Sequence, residues 1–214
     1  MLEKLPDVVG HALRDQRPGL DETAFRRIDL RAGLGAITVT SLSFVDHGRL
    51  PEACTADGSG RSPALQWTGV PDAAVSVVLL VEDADAPAPH PFVHAIAVGL
   101  PAGDGALAEG ALDGETAERA GLRVGRNSFL GKGWLPPDPP PGHGVHRYVF
   151  EVFALGGPEP EWSDTPGRDE VLRVLDEQAI ASGCLMGTYA RPDGSVKDDA
   201  TEQEAAVATR LASA

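Results

Sequence analysis

The sequence is poor in cysteine and in basic residues, and each shortage excludes a class of protein. Two cysteines, Cys54 and Cys184, among 214 residues are too few for a disulfide framework. We expect two unpaired thiols, with a single bridge between them as the alternative. Lys and Arg number 18 against 32 Asp and Glu, a net charge of −14. This charge argues against a general binder of nucleic acid, which attracts basic surfaces. It leaves a local anion site open, because the few groups that line such a site set its field.

Long apolar runs are also missing. The longest strongly apolar stretch is residues 75–81, which has the length of a β-strand and is far too short to span a membrane. The first residues show no basic segment followed by an apolar one, the pattern of a secretory signal. We therefore expect a cytoplasmic protein with no integral membrane association.

Glycine and proline, by contrast, are abundant. The 25 Gly and 18 Pro make up about a fifth of the chain, against a usual share of roughly 12%, and so many turn-forming residues favour a loop-rich β fold. Alternating or continuous apolar patterns predict strands at residues 37–44, 64–67, 75–82, 92–100, 147–155 and 184–189. Residues 102–125 are predicted to be loop with a helical turn. Helical spacing over Asp169–Ser182 predicts one late helix, with Gly183 at its C′ position. The expected fold is a β-sandwich with helical additions.

The ends of the chain differ from this β region. Helical spacing recurs before Pro18 and Gly19, at Leu2, Leu5, Val8 or Val9, and Ala12 or Leu13. We divide the chain into an N-terminal helical extension (1–36), a β domain (37–190) and a polar tail (191–214). The N-terminal helix must bury its apolar stripe either on its own domain or on a second copy, which would give a homodimer.

Polar residues cluster at three strand ends, where loops usually carry function. The clusters are residues 82–87 (Glu-Asp-Ala-Asp-Ala-Pro), 90–94 (His-Pro-Phe-Val-His) and 139–148 (Pro-Pro-Pro-Gly-His-Gly-Val-His-Arg-Tyr). Taken singly, the first could be a solvated turn and each histidine could have a structural role. Two carboxylates directly after an apolar strand must nevertheless be paired, hydrated or ligated.

Taken together, the clusters resemble the phosphatidylethanolamine-binding protein family, in its bacterial Raf-kinase-inhibitor-like branch. Residues 62–67 (Ser-Pro-Ala-Leu-Gln-Trp) are similar to the family's S-P-x-L-x-W segment, and residues 83–87 to its D-P-D-A-P box. Residues 92–94 stand where the family has a histidine entering a strand. Residues 139–148 are similar to its P-P-x-G-x-x-H-R-Y signature, and residues 183–189 to its closing strand. The five motifs occur in the family's order across residues 37–190.

The resemblance implies a mainly β fold, a Greek-key sandwich of two antiparallel sheets with a few peripheral helices. It also implies a small pocket for phosphate, acetate, cacodylate or a phospholipid headgroup, without a cofactor or a bound metal. Position by position, the residues expected to line that pocket are Asp83, Pro87, His94, Pro140, His146 and Tyr148. Asp85 and Arg147 are expected beside it as supports. Histidine, tyrosine and loop amides can donate to a phosphoryl group.

Three departures from the family pattern bear on the pocket. Ala84 replaces a proline in the acidic box, which should loosen that turn. Ala95 stands where bacterial relatives carry a bulky aromatic residue, which should open the pocket wall. Pro136 and Asp138 precede the double proline and add an acid near the mouth. Together they predict a wider pocket with less preference for anions.

The residues leave three functions to compare. The leading hypothesis is a binding protein, with a possible regulatory role, for a small anionic or phosphorylated ligand. The alternative is an enzyme that uses Asp83, His94, His146 and Tyr148 for acid–base dehydration, cyclisation or isomerisation of a hydrophobic metabolite. A metal site at Asp83, Asp85, His90 and His94 is the third. Two histidines four residues apart on a strand lie roughly 13 Å apart, which argues against it.

Overall fold

The computed structural model describes residues 6–28 and 36–191, and in these residues the chain forms nine strands and four α-helices. The strands are β1 (Thr38–Thr40), β2 (Gly48–Arg49), β3 (Leu65–Thr68), β4 (Ser76–Asp83), β5 (Phe92–Pro101), β6 (Gly105–Leu107), β7 (Arg123–Val124), β8 (His146–Leu155) and β9 (Ala179–Tyr189). The helices are α1 (Asp7–Leu13), α2 (Ala24–Arg27), α3 (Gly114–Arg119) and α4 (Arg168–Gln178). The predicted polar tail lies outside the described residues, apart from Arg191.

The strands form two sheets. The smaller has the order β1-β3-β6, and the larger has the order β2-β9-β8-β4-β5-β7. The expected mainly β fold of two sheets with a few helices is confirmed. The larger sheet is mixed rather than strictly antiparallel, because β2 pairs in parallel with β9. A two-residue strand that enters from a long loop has no hairpin to force it antiparallel.

The adjacent strands β8, β4 and β5 lie in the middle of the larger sheet and are buried on both faces along most of their length. Every residue of β4 is buried, as its continuous apolar pattern predicts. Because side chains alternate along a strand, Val77, Leu79 and Val81 pack between the two sheets. Val78 and Leu80 pack on the opposite face. That opposite core also contains residues of α2 and α4, so the larger sheet is the middle one of three layers.

The helix α1 packs on its own chain. Gly10 of α1 lies directly against the proline-rich loop that precedes β8. An added Cβ at Gly10 would be 1.9 Å from the Pro141 oxygen. Further along, Arg17 donates to the backbone oxygens of His143 and Val145. The contacts are made by Gly10 and Arg17 rather than by the predicted apolar stripe, of which Leu2 and Leu5 lie outside the described residues. The homodimer stays a prediction. On α1, the apolar side chain of Val8 is 69% exposed, so a second copy could contact it.

Two predicted elements differ from the structure. The late helix ends at Gln178, and residues from Ala179 onward pair with β8 instead. Gly183 is therefore not at a helix end. It lies in β9 where the backbone of Ile37 crosses, and a Cβ there would be 1.9 Å from the Ile37 oxygen.

The first predicted strand is also shorter than expected. β1 ends at Thr40 because the Ser41 hydroxyl binds the Ala64 oxygen and accepts from the Ser43 amide. Residues 102–125 contain the expected helical turn, α3, together with the two short strands β6 and β7.

The cysteines are both unpaired. Burial is the main cause that raises the pKa of Cys54 and of Cys184 to about 11, so neither is a ready nucleophile near neutral pH. No helix in residues 6–28 or 36–191 has the length and apolarity needed to cross a bilayer.

Candidate functional site

The acidic turn at the end of β4 places its two carboxylates by alternation. Glu82 faces the helical layer, whereas Asp83, one residue on, faces the side of the smaller sheet. The Asp83 Oδ1 atom accepts from the amide of Asp85 at 2.8 Å. The Ala84 amide donates to the Arg147 oxygen at 3.0 Å. A proline could not make that second bond, so Ala84 fastens the turn rather than loosening it.

His94 is positioned by a β-bulge. Along β5, Ala95 pairs with Val81 and Val93 pairs with Glu82, so His94 is an extra residue opposite that step. A bulge re-aims the side chain at which it occurs. The His94 ring lies edge-on to that of Tyr148, with centroids 5.1 Å apart. Its Nδ1 atom is 2.6 Å from the Leu135 oxygen.

His146 begins β8 and lies inside a chain of hydrogen bonds. Its Nδ1 atom is 2.7 Å from the Asp83 Oδ2 atom, and its Nε2 atom is 2.7 Å from the Nδ1 atom of His143. The other nitrogen of His143 donates to the Leu13 oxygen at 2.9 Å. These three bonds need three hydrogens on two rings when Asp83 is ionised. The two rings then carry one positive charge between them. Burial is the main cause that lowers the pKa of His143, and the charge of His146 acts in the same direction.

Asp85 and Arg147 lie beside the site as supports. The Arg147 guanidinium binds both oxygens of Asp85, at 2.6 and 2.7 Å, and Arg17 is 3.2 Å from the same carboxylate. Burial acts to raise the pKa of Asp85, but the hydrogen bonds and charge of Arg147 outweigh it and hold that pKa below its ordinary value. Asp85 is therefore a fixed anion that ties the N-terminal segment to β8.

Asp138, in the proline-rich segment before β8, places another carboxylate at the site. It forms an ion pair with Arg191, whose guanidinium also binds Asp57 and the Pro139 oxygen. This confirms an acid near the mouth, and it shows that the acid is paired. Arg191 lies two residues after the end of β9, at the first position of the predicted tail, and was not among the predicted site residues.

These groups surround one cavity of about 190 Å³. Of the predicted residues, it is lined by Asp83, Pro87, His94, Pro140 and His146. Tyr148, also predicted to line the pocket, is not among the described residues that do so: it is fully buried and packs against His94, and its hydroxyl has no hydrogen-bond partner among the described residues. Burial is the main cause that raises the pKa of Tyr148 well above its ordinary value, so the phenol stays protonated. The three clusters that are separate in sequence thus meet in one place.

The comparison with known families gives the same assignment as the motifs. The sequence model described as phosphatidylethanolamine-binding protein matches residues 40–190, which is more than half of the chain. The chain belongs to the phosphatidylethanolamine-binding protein family.

Several relatives in the family cover the same region. A UPF0098 protein of Aquifex aeolicus is 33% identical over 160 residues, which are 75% of this chain and 92% of that protein. The phomoidride biosynthesis cluster protein B of a fungal species is 33% identical over 140 residues, 62% of this chain and 67% of that protein.

Solved structures show the same fold. The phosphatidylethanolamine-binding protein homologue CT736 of Chlamydia trachomatis superimposes with a TM-score of 0.64 at 32% identity, covering 73% of this chain and 98% of that one. The structure of Escherichia coli YbcL, described as a new member of the mammalian family, gives a TM-score of 0.67 at 27% identity. It covers 72% of this chain and 98% of YbcL.

Sequence reasoning missed part of the pocket of this family member. The additional side chains on the cavity wall are largely apolar, namely Ala86, Ala88, Phe92, Phe129, Leu135 and Pro136. Ala95, expected to open the wall, is instead fully buried in the core between the sheets. His143 was also missed, although its spacing of three residues from His146 before a strand was a usable signal.

The metal interpretation finds no support in the described ranges. His94 is buried, whereas His90 is exposed ahead of β5. Within residues 6–28 and 36–191, no group of three or more His, Cys, Asp or Glu side chains is arranged to hold a metal ion.

Proposed function

We propose that this protein binds a small phosphorylated or otherwise anionic ligand in the cavity between Asp83, His94 and His146. The observation that carries the proposal is their convergence: three side chains from segments up to 63 residues apart line one cavity. The similarity to phosphatidylethanolamine-binding proteins supports a headgroup-sized ligand of this kind.

The charge around the cavity supports an anionic ligand despite the −14 net charge of the chain. Four carboxylates lie at or next to the cavity, and each is paired with a histidine or an arginine. The pairs are Asp83 with His146, Asp85 with Arg147, and both Asp57 and Asp138 with Arg191. Because paired charges cancel at short range, an anion approaching the cavity is not repelled by four bare acids.

The stiffness of the rim also favours binding. Pro87, Pro139 and Pro140 line the cavity, and their rings fix the backbone before a ligand arrives. A rim that is ordered in advance lowers the entropy cost of binding. The cavity thus suits a ligand held by a few polar contacts.

The test is a calorimetric titration of the full chain with inorganic phosphate and with O-phosphoethanolamine. Saturable binding is expected in the native protein. His146→Ala should weaken it at least about tenfold, since it leaves Asp83 as an uncompensated charge in the cavity wall. His47→Asn is the matched control, because His47 is exposed and adopts a left-handed conformation that asparagine tolerates. Absence of binding, or equal affinity in folded His146→Ala, overturns the proposal.

An enzyme using the same cavity is the second candidate, favoured by one specific observation. A relative 33% identical to this chain is named as a biosynthesis cluster protein. Two acid–base groups line the cavity, His94 and His146, and each contacts the ring of Tyr148. Native mass spectrometry of a ligand-loaded sample separates the two functions. A binding protein returns its ligand unchanged, whereas an enzyme returns a product of altered mass or retention time.

A further inference from the structure

The hydrogen-bonding state of His94 is fixed by its surroundings. Its Nδ1 atom lies 2.6 Å from the Leu135 oxygen, and a carbonyl oxygen only accepts, so Nδ1 carries a hydrogen. The side chain is buried, and its Nε2 atom has no partner among the described residues. Burial is the main cause that lowers the pKa of His94, so the ring is neutral near pH 7. Its Nε2 atom therefore presents a lone pair to a ligand, which makes it an acceptor.

The other polar groups on the cavity wall also offer few hydrogen-bond donors to a ligand. Both ring nitrogens of His146 are used within the protein, by Asp83 and by His143. Asp83 and Asp138 contribute carboxylates. The proline rim has no amide hydrogens, and no lysine or arginine is among the residues that line the cavity. The Tyr148 hydroxyl is buried next to His94 without a hydrogen-bond partner among the described residues, but Tyr148 is not one of the residues that line the cavity.

From this arrangement we infer that the cavity selects ligands whose polar group carries its own hydrogen-bond donor. It would take a protonated oxyanion such as hydrogen phosphate, and it would reject a fully deprotonated one such as sulfate. Hydrogen phosphate donates its hydroxyl to the His94 Nε2 atom. Sulfate has no hydrogen to donate, so it would place a charged oxygen against the lone pair. This inference rests on the proposed function and specifies the chemistry of its ligand.

The selectivity should depend on pH, because His94 can gain a proton. The charged or titratable groups that face it are Asp83 from β4, His146 and Tyr148 from β8, and Asp138 from the rim. In acid the Nε2 atom takes up a hydrogen and becomes a donor. Sulfate can then bind, and the difference between the two anions shrinks.

The experiment measures displacement of phosphate by sulfate with phosphorus NMR on the full chain. At about pH 8 an ordinary histidine is neutral. To displace bound phosphate, sulfate should then need about tenfold or more the concentration that added phosphate needs, because sulfate leaves one buried hydrogen bond unmade. Between about pH 8 and about pH 5 the ratio should fall, because acid is the direction in which His94 gains a proton. His94→Asn should abolish the selectivity at the higher pH, with His47→Asn as the control that keeps it.

The outcomes separate the inference from the proposed function. Equal competition by the two anions at both pH values overturns the inference and leaves the proposed function standing. Absence of phosphate binding overturns both. If His94→Asn does not fold, the pH series on the native protein decides alone, because it needs no substitution.

Discussion

Gly10 lies where α1 presses against the loop that carries His143, and it has no room for a side chain. A Cβ at this position would be 1.9 Å from the Pro141 oxygen and 2.7 Å from the His143 nitrogen. To restore ordinary contact of 3.4 Å, helix and loop must separate by about 1.5 Å. That displacement would break the bond between the Leu13 oxygen and His143.

The sign of the effect of Gly10→Ala follows from two opposed contributions. Alanine in a helix is favoured over glycine by roughly 0.5–1 kcal/mol, whereas overpacking costs typically about 1–3 kcal/mol. We therefore expect net destabilisation of about 1–2 kcal/mol, or a fall in Tm of about 2–8 °C for a chain of this size. Because the loop carries His143, phosphate affinity should fall as well.

Differential scanning calorimetry and phosphate titration measure both effects. Val8→Ala is the matched control on the same helix, because Val8 is exposed and its change should lie within about 0.5 kcal/mol. An unchanged or raised Tm in Gly10→Ala would refute the docking of α1 on its own domain. It would favour a helix that packs on a second copy.

Two further predictions concern the buried carboxyl groups under the helical layer. Burial is the main cause that raises the pKa of Glu151 well above its ordinary value. The stability that protonated Glu151 contributes is therefore fully present below its pKa in the unfolded chain. It is lost as pH rises toward the higher pKa of Glu151 in the folded protein. Glu151→Gln should remove that loss, so its Tm should exceed that of the native protein increasingly toward alkaline pH; parallel Tm–pH curves would contradict this. Arg168→Ala leaves the fully buried Glu82 without its ion pair and should cost about 3 kcal/mol in urea unfolding. Arg173→Ala, in an exposed pair with Glu177, should cost less than about 0.5 kcal/mol, and equal costs would refute the distinction.

Much of the fold could be predicted because it depends on local pattern. β4 and β8 were found within a residue or two of their observed bounds, since continuous apolar runs indicate strands covered on both faces. The end of α4 was not found, because Ala179, Ile180 and Ala181 suit a helix as well as a strand. Their pairing with β8 decides the matter, and that pairing is a long-range contact.

The candidate site likewise has a part that the sequence predicts and a part that it does not. The identity of Asp83, His94 and His146 was readable because the residue types and their motifs are local properties of the chain. Which of their atoms can contact a ligand was not readable. That depends on the bulge that turns His94, on the Leu135 oxygen that fixes its hydrogen, and on the N-terminal segment that reaches His143 through Leu13.

By itself the sequence determined a mainly β domain, the family to which it belongs and the three segments that carry polar chemistry, because spacing and side-chain type are sufficient for each. Only the tertiary structure decided that the acids at the cavity are paired, that the Ala84 amide is bonded and Ala95 is buried in the core, and that the Leu135 oxygen contacts the His94 Nδ1 atom. The physical reason is that charge pairing, close contact and the position of a hydrogen are set by neighbours that are distant along the chain.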